Sequence, residues 1–414
     1  MAQTFTKEMK KTHTILVPTM LPIHFQFLKS ILIQEGYKIE LLETTDDSII
    51  NNGLQYVHND TCYPAMLVIG QMIDALKSGN YDVNHTALAI TQTGGGCRAS
   101  NYIHLLRKAL VQAGFPQVPV ISVNFANLEK QSGFRLTPKI CIKLLYGFLY
   151  GDMILYLKNQ CLPYEQEKGM TNKVVNKWIK YLSKQFQSLS YLKLKRHMKA
   201  MIDDFASIEK EKKEAILVGI VGEIYMKYSP LGNNHLEEYL LQEGCEPVVS
   251  STLDFGLYCL ENVSNDHHYY MRNTLSYPIA KISSKIIQHL QEIGNQLIKQ
   301  EKSFRPMDSF KELTQANQNI LDQGVKMGEG WLLTSEMVSL IQHGIPNIVC
   351  CQPFGCLPNH IVAKGMMRKI KTIYPNANIV AIDYDPSATK VNQENRIKLM
   401  LSNARYASIL QAKE

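Results

Sequence analysis

The sequence lacks several features that would place it in a special class. No uncharged apolar run reaches the roughly 18 residues that a membrane span requires, because Lys143 and Asp152 interrupt the most apolar segment. The N-terminal segment has no apolar core of the kind found in signal peptides. The formal net charge of +7 is modest for 414 residues and does not indicate nucleic-acid binding. These absences predict a cytoplasmic protein that binds neither membranes nor nucleic acid.

Common metal and nucleotide motifs are also missing. There is no C-x-x-C pair, so neither a zinc ribbon nor a compact ferredoxin motif is present. There is no G-x-x-x-x-G-K-[ST] segment and no phosphate loop of the acetate- and sugar-kinase type, so no nucleotide site is predicted. The chain nevertheless has nine cysteines. In a cytoplasmic protein these favour metal binding or catalysis over disulfides.

The order of apolar segments predicts an α/β fold. Strand-like runs such as "HTILVPT", "TALAIT" and "NIVAIDY" alternate with amphipathic helical stretches, and strands of this apolar kind occur in parallel sheets covered on both faces. We expect an α/β domain over 1–130, a helical connecting segment over 131–213 and a second α/β domain over 214–414. The connecting segment is rich in lysine from Lys173 onward, which indicates a solvated helix face or, as an alternative, a basic groove for a partner.

Several cysteines fall where a predicted strand gives way to a helix. Cys62 precedes a helix, Cys97 follows the strand "TALAIT", and Cys350, Cys351 and Cys356 straddle the turn in "NIVCCQPFGCLPNHIV". In parallel sheets such turns lie at the carboxyl ends of strands, where ligands bind, and helix N-termini favour thiolates. The glycines beside them would let the backbone approach whatever the thiolates hold. These glycines are Gly94, Gly95, Gly96 and Gly355.

The remaining cysteines have a simpler interpretation. Cysteine is often a small buried apolar residue, which is the role we assign to Cys141, Cys161, Cys245 and Cys259. Neighbouring strand residues face opposite sides, so that Cys350 and Cys351 cannot both face one site. The residues alone therefore predict a cytosolic α/β protein with a metal or redox site between two domains.

Several segments carry a resemblance to a known family. "NDTCYPAMLVIGQMIDALKSGNYD", "TQTGGGCRASNY", "CQPFGCLPNHIVAKGMMRKI", "YPNANIVAIDYDP" and "VNQENRIKLML" resemble the C-terminal portion of the activase-related proteins of the 2-hydroxyacyl-CoA dehydratase and benzoyl-CoA reductase superfamily. The relatives include double-cubane-cluster reductases. The resemblance implies two Rossmann-like domains and a 4Fe-4S cubane between them, held by Cys62, Cys97 and Cys356. Cys350 matches a recurrent cysteine, which makes it a fourth candidate ligand and a double cubane an alternative.

The resemblance also implies a function. The chain would be an iron–sulfur component of a low-potential reductase or of a radical 2-hydroxyacyl-CoA dehydratase, with an acyl-CoA as substrate, and it would form a dimer. The large relatives carry ATPase domains upstream, so the electron donor here would be a separate ATP-hydrolysing activase. The alternatives are a non-catalytic scaffold or electron-relay subunit that carries a cluster, and a zinc-stabilised structural protein.

Position suggests three acid–base candidates and one cation. Glu223 ends a predicted strand, Glu329 lies between glycines and His360 follows Cys356 by four residues. Each has an alternative role in helix capping or turn formation. Arg98 would offset the charge of a cluster or meet a phosphate of coenzyme A, with a surface ion pair as the alternative. We expect Asp383 and Asp385, in "DYDP", to cap a helix.

Overall fold

The computed structural model describes residues 4–93, 96–124, 129 and 131–411. Gly94 and Gly95, two of the glycines predicted to approach a ligand, lie outside the described residues. The other candidate site residues are all within them.

The strands form two parallel four-stranded sheets. The first has the order β2-β1-β3-β4 and the second the order β6-β5-β7-β8, so the two sheets share one topology. All pairings between these eight strands are parallel, for example Ile15 with Ile39 and Val221 with Cys350. The strands are β1 (Thr14–Pro18), β2 (Lys38–Leu42), β3 (Thr86–Thr91), β4 (Val120–Val123), β5 (Ile216–Gly222), β6 (Cys245–Val249), β7 (Asn347–Pro353) and β8 (Asn378–Tyr384). The predicted α/β fold of two Rossmann-like parallel-sheet domains is confirmed.

Helices connect the strands and join the two sheets. Those of the first sheet are α1 (Met9–Thr12), α2 (Pro22–Gln34), α3 (Asp47–Tyr56), α4 (Tyr63–Lys77) and α5 (Tyr102–Gln112). The connecting helices are α6 (Pro138–Asn159), α7 (Met170–Gln185) and α8 (Leu194–Ala206). Those of the second sheet are α9 (Ile224–Tyr228), α10 (Pro230–Asn233), α11 (Leu236–Gln242), α12 (Thr252–Tyr270), α13 (Tyr277–Glu301), α14 (Phe310–Ala316), α15 (Trp331–Gln342), α16 (Leu357–Val362), α17 (Met367–Ile373) and α18 (Lys390–Gln411).

Most elements lie where the apolar pattern predicts them, and one predicted helix is broken. The stretch after Cys356 reads as a continuous helix, but α16 ends at Val362 and α17 begins at Met367, with a 3-10 turn between them. Gly365 lies in this turn, and glycine is a poor helix former. The break leaves α16 as a short helix directly after Cys356.

Helix α6 is the most apolar helix of the connecting segment. By length and composition it is long enough to cross a membrane, but 56% of its apolar window is buried inside the fold. Both interrupting charged residues have a partner: Lys143 bonds to Glu35 at 2.9 Å and Asp152 to His24 at 2.9 Å. These features are those of a core helix in a soluble globular α/β protein. A cytoplasmic location stays a prediction.

One hydrophobic cluster links the two sheets. It includes Leu16 and Ile69 on the side of the first sheet, and Val218 and Ile382 on the side of the second. Helix α4 is buried along nearly its whole length within this cluster, and it contacts α10 of the second half. Cys62, directly before α4, is therefore held where the two halves meet.

Candidate metal centre

Three of the predicted ligands share one local structure. Cys62, Cys97 and Cys356 are each the residue before a helical segment: α4, a 3-10 turn over Arg98–Asn101, and α16. Each has an extended backbone, as N-cap residues do. Cys97 follows β3 and Cys356 follows β7, so both lie at the carboxyl ends of inner strands. The predicted placement of these cysteines at helix starts is confirmed.

The N-cap position places each sulfur beside the backbone N–H groups of a first helical turn. The N–H groups of Ala65, Ala99 and Asn359 lie on the side of the sulfurs of Cys62, Cys97 and Cys356 respectively and lower the pKa of each thiol, although none of the three sulfurs accepts a capping hydrogen bond. The first turn of a helix has N–H groups without a partner inside the helix, and an N-cap side chain can accept from them. Such donors stabilise a thiolate.

A tight contact between the two halves joins Cys62 to the segment that carries Cys356. The N–H of Tyr63 donates to the carbonyl of Phe354 at 2.9 Å. Gly355 has φ of +71°, and a Cβ atom there would lie 3.0 Å from the Cα of Cys62. Glycine is therefore required at 355 both by its left-handed backbone and by the close approach of the two loops.

The three thiols lie near one another, and two of them are shielded from water. Cys62 and Cys356 are buried and Cys97 is half-buried. Burial raises the pKa of Cys62 to about 11, and the nearby Cys97 adds to the rise. Burial likewise raises the pKa of Cys97 and the pKa of Cys356. The nearby Cys97 adds to the rise at Cys356. Without a bound cation the three sulfurs are therefore protonated at neutral pH.

Two carboxylic acids adjoin the thiols. Glu329 is buried, and its Oε1 accepts from the backbone N–H of Ile224 at 3.0 Å, while Oε2 of Glu223 accepts from the N–H of Met226 at 2.9 Å. Burial, followed by the charge of Glu329, raises the pKa of Glu223, and burial also raises that of Glu329. The charge of Glu223 influences all three cysteines. The arrangement can hold protons beside the sulfurs, and both residues also have the capping role given as their alternative.

The paired cysteines of β7 face opposite sides, as strand geometry requires. Cys350 packs in an apolar cluster with Val221 and Val338, whereas Cys351 belongs to the cluster that contains Cys62. The S–H of Cys350 points to Oδ1 of Asn359 at 3.8 Å. The structure thus brings Cys62, Cys97 and Cys356 together and leaves Cys350 on the other face of the sheet. A role for Cys350 as a ligand stays a prediction.

The other predicted site residues lie at the surface near the thiols. Gly96 is exposed, and a Cβ there would overlap the thioether of Met327. Arg98 is exposed directly after Cys97. His360 is exposed on α16, where its backbone N–H donates to the carbonyl of Cys356 at 3.1 Å.

The two aspartates of "DYDP", which we expected to cap a helix, have different partners. Asp383 forms ion pairs with Lys364 at 2.9 Å and Arg396 at 3.1 Å and caps no helix. Asp385 accepts the backbone N–H of Ser387 at 2.8 Å.

Sequence reasoning missed two buried polar residues of this region. The hydroxyl of Tyr102 lies 2.9 Å from the sulfur of Cys62, and the residue is buried. Gln352 lies between Cys351 and Pro353 at the carboxyl end of β7, with no exposed surface, and neither its Nε2 nor its Oε1 has a partner among the described residues. In the sequence, nothing distinguishes Tyr102 from an ordinary core aromatic. Gln352 could have been found from the sequence, because a glutamine inside an otherwise apolar strand indicates a buried polar group.

The donor set suits a bulky thiophilic group. No three His, Cys, Asp or Glu side chains of the described residues are placed to hold a single metal ion. A cubane spans several ångströms, so its thiolates stand further apart than those of a single ion. Three cysteines from both halves and the close backbone approach at Gly355 are what a buried cluster of this kind would use. The residues present therefore fit an iron–sulfur cluster.

Comparison with known proteins adds no identification. No protein-family model matches the chain, and no curated protein is significantly similar to it. The assignment of a function therefore depends on the residues themselves.

Proposed function

We propose that the chain is an iron–sulfur protein in which Cys62, Cys97 and Cys356 hold a cubane cluster. It would serve as the component of a low-potential reductase or of a radical 2-hydroxyacyl-CoA dehydratase that receives electrons from a separate ATP-hydrolysing activase. The observation that carries the proposal is the convergence of these three N-cap thiols, from both halves of the fold, at one place where two of them are buried. The family resemblance of the surrounding segments supports the same assignment.

When bound, the cluster would supply one-electron chemistry at an iron that has no protein ligand. The protein would contribute a site that excludes water around Cys62 and Cys356. Glu223 would hold a proton on Oε1, because its Oε2 accepts a backbone N–H. Glu329 would hold a proton on Oε2, because its Oε1 accepts a backbone N–H. Arg98 would balance negative charge at the mouth of the site. Three thiol protons would be released as the sulfurs become ligands.

The surface around the thiols supports a protein partner. Phe354, Leu357 and Ile361 are exposed apolar residues on either side of Cys356, and Met327 is exposed against Gly96. An apolar patch of this kind on a monomer marks an interaction site. A partner seated there would lie beside Cys356, as a donor of electrons to a cluster must.

The decisive experiment is iron and acid-labile sulfide content on protein purified without oxygen, with an EPR spectrum of the reduced form. We expect roughly four irons per chain. Roughly eight would bring Cys350 into the site and favour a double cubane. Absence of iron from a folded, strictly anaerobic preparation would refute the proposal, and zinc in its place would favour a structural protein.

Cys97→Ala tests the ligand assignment directly. We expect loss of the bound iron with an unchanged far-UV circular dichroism spectrum, because Cys97 lies in a short half-exposed turn. Cys141→Ala is the matched control, since Cys141 is also half-exposed but lies on α6, outside the thiol site. Full iron content in Cys97→Ala, or equal loss in both variants, would contradict the assignment. A cluster that accepts electrons while no acyl-CoA is converted would favour a relay subunit.

A further inference from the structure

The hydroxyl group of Tyr102 contacts one of the predicted cluster ligands. Its oxygen lies 2.9 Å from the sulfur of Cys62, 40 positions earlier in the chain, and it has no other hydrogen-bond partner among the described residues. Tyr102 is the first residue of α5 and directly follows the 3-10 turn that begins after Cys97. It therefore connects the segment of one predicted ligand to the sulfur of another.

This contact is shielded from water. Tyr102 and Cys62 are both buried, and they belong to the same hydrophobic cluster. A hydrogen bond in such a low-dielectric place is electrostatically stronger than the same bond in water. Burial also raises the pKa of Tyr102 well above its ordinary value, so that the phenol keeps its proton at neutral pH.

Ligation of Cys62 would fix the direction of this hydrogen bond. In the free protein either the thiol or the phenol can donate. A thiolate that binds iron has no proton, so the phenol of Tyr102 must then donate and the sulfur must accept. Hydrogen bonds to the sulfurs are among the factors that set the reduction potential of an iron–sulfur cluster. Such a bond favours the reduced state, because reduction adds negative charge beside the donor.

Packing accounts for the ring of Tyr102 but not for its hydroxyl. Phenylalanine would fill the same apolar space without a polar atom that needs a buried partner. Of the three predicted ligands, only Cys62 has a side-chain donor within hydrogen-bond distance of its sulfur in the described part of the chain. The hydroxyl is therefore placed to act on the site through this one sulfur.

We propose that Tyr102 is a positioning residue that raises the reduction potential of the cluster by donating a hydrogen bond to the thiolate of Cys62. This role rests on the proposed function, because it requires a bound cluster. It adds to that function a residue that makes the cluster easier for the activase to reduce.

The test is the reduction potential of the full chain, purified without oxygen and titrated with EPR detection, for the parent protein and for Tyr102→Phe. We expect Tyr102→Phe to keep its iron and to have a more negative potential. At a fixed applied potential the ratio of reduced to oxidised cluster should fall about tenfold, which is about 59 mV for a one-electron couple. Proton ENDOR spectra of the reduced parent protein, in water and in heavy water, should show a strongly coupled exchangeable proton that Tyr102→Phe lacks.

Tyr384→Phe is the matched control. Tyr384 is buried in the same hydrophobic cluster, and its hydroxyl lies beside the sulfur of Cys351, which is not a predicted ligand. We expect this variant to keep both the iron and the reduction potential of the parent protein.

The outcomes separate this role of Tyr102 from the proposed function. A parent protein without iron would refute both. Iron in the parent protein with an unchanged potential in Tyr102→Phe would overturn only the role of Tyr102, and so would an equal shift of potential in the two variants. Loss of iron from Tyr102→Phe alone would also overturn it, because the hydroxyl would then be required for binding. If neither variant folds, the ENDOR spectrum of the parent protein decides: a strongly coupled exchangeable proton supports the role, and its absence overturns it.

Discussion

The residues around Gly355 show how one backbone position joins the two halves at the candidate site. Gly355 lies against the Cα of Cys62, and the neighbouring Phe354 accepts a backbone bond from Tyr63. Cys356 follows directly, so the position of its sulfur relative to Cys62 depends on this contact. A side chain at 355 would push the two cysteines apart.

Replacing Gly355 with alanine should therefore destabilise the protein and reduce its capacity for a cluster. The left-handed backbone alone costs an alanine about 1 to 2 kcal/mol. The contact with Cys62 should add about 1 kcal/mol or more, since overpacking a close contact costs this much. The measurements are the free energy of unfolding in urea and the iron bound per chain.

Gly344→Ala separates the cost of the left-handed backbone from the cost of the close contact. Gly344 has φ of +80°, but no atom lies within 4 Å of a new Cβ. We expect it to show only the backbone cost and to keep its full iron content. Equal loss of stability in the two variants would mean that the loop at 355 can move away from Cys62 without penalty.

Asp152 links three helices. It lies on α6, it is buried, and its carboxylate accepts from His24 of α2 at 2.9 Å. The same carboxylate accepts the backbone N–H groups of Thr252 and Leu253 at 2.9 and 3.2 Å, and so caps the N-terminus of α12 from another helix. Burial alone would raise the pKa of Asp152, but the bonds from its partners outweigh it and hold the pKa below its ordinary value.

We expect Asp152→Asn to lower the free energy of unfolding by about 1.5 to 3 kcal/mol, the range for hydrogen bonds to a buried charged group. Because the folded pKa is lowered, the contribution of Asp152 is present above its ordinary pKa near 4 and is lost as the pH falls below it. Chemical unfolding of parent and variant at pH 7 and at pH 3 should therefore show a smaller difference at the lower pH.

Asp82→Asn is the matched control. Asp82 also bonds to a histidine, His85 at 2.6 Å, and caps a helical turn through the N–H of Asn84 at 3.0 Å, but it is exposed. An exposed pair contributes about 1 kcal/mol at most. A similar effect of both substitutions would show that burial does not strengthen the contacts of Asp152.

The elements of the fold were largely predictable from local pattern. β3 and β8 fill the segments "TALAIT" and "NIVAIDY", and β3 is apolar because it is buried on both faces. Helix α3 was not foreseen, since its polar sequence "DSIINNGLQY" has little apolar content, and it is held by packing on α4. Its Gly53 lies against the backbone of Met66.

The candidate site was predictable only in part, for a similar reason. Cys62, Cys97 and Cys356 precede helices, and local sequence shows this. The separation of Cys350 from them depends on which face of β7 it occupies, and the alternation of the strand predicts only that Cys350 and Cys351 differ. The contact of Tyr102 with Cys62 joins residues 40 positions apart, which a single sequence does not reveal.

At the scale of the whole molecule, buried thiols make stability sensitive to alkaline pH. Cys161 and Cys245 have no exposed surface, and burial raises the pKa of each to about 11 from an ordinary value of 9. A group whose folded pKa is raised stabilises the protein below its unfolded pKa, and this contribution is lost as the pH rises toward the folded value. The window for these two thiols is therefore pH 9 to 11.

The parent protein should accordingly lose unfolding free energy between pH 8 and pH 10 by about 1 kcal/mol for each of these thiols. The double variant Cys161→Ala, Cys245→Ala should lose about 2 kcal/mol less over the same range, although cavities make it less stable at pH 8. Val175→Ala controls for the cavity, because Val175 lies in the same hydrophobic cluster as Cys161 and carries no ionisable group. Urea unfolding at three pH values measures the slopes. If the unfolding free energies of the double variant and of Val175→Ala depend on pH in the same way, the alkaline sensitivity arises from other groups. The buried tyrosines would be the next to test, because burial raises their pKa above the ordinary value of 10.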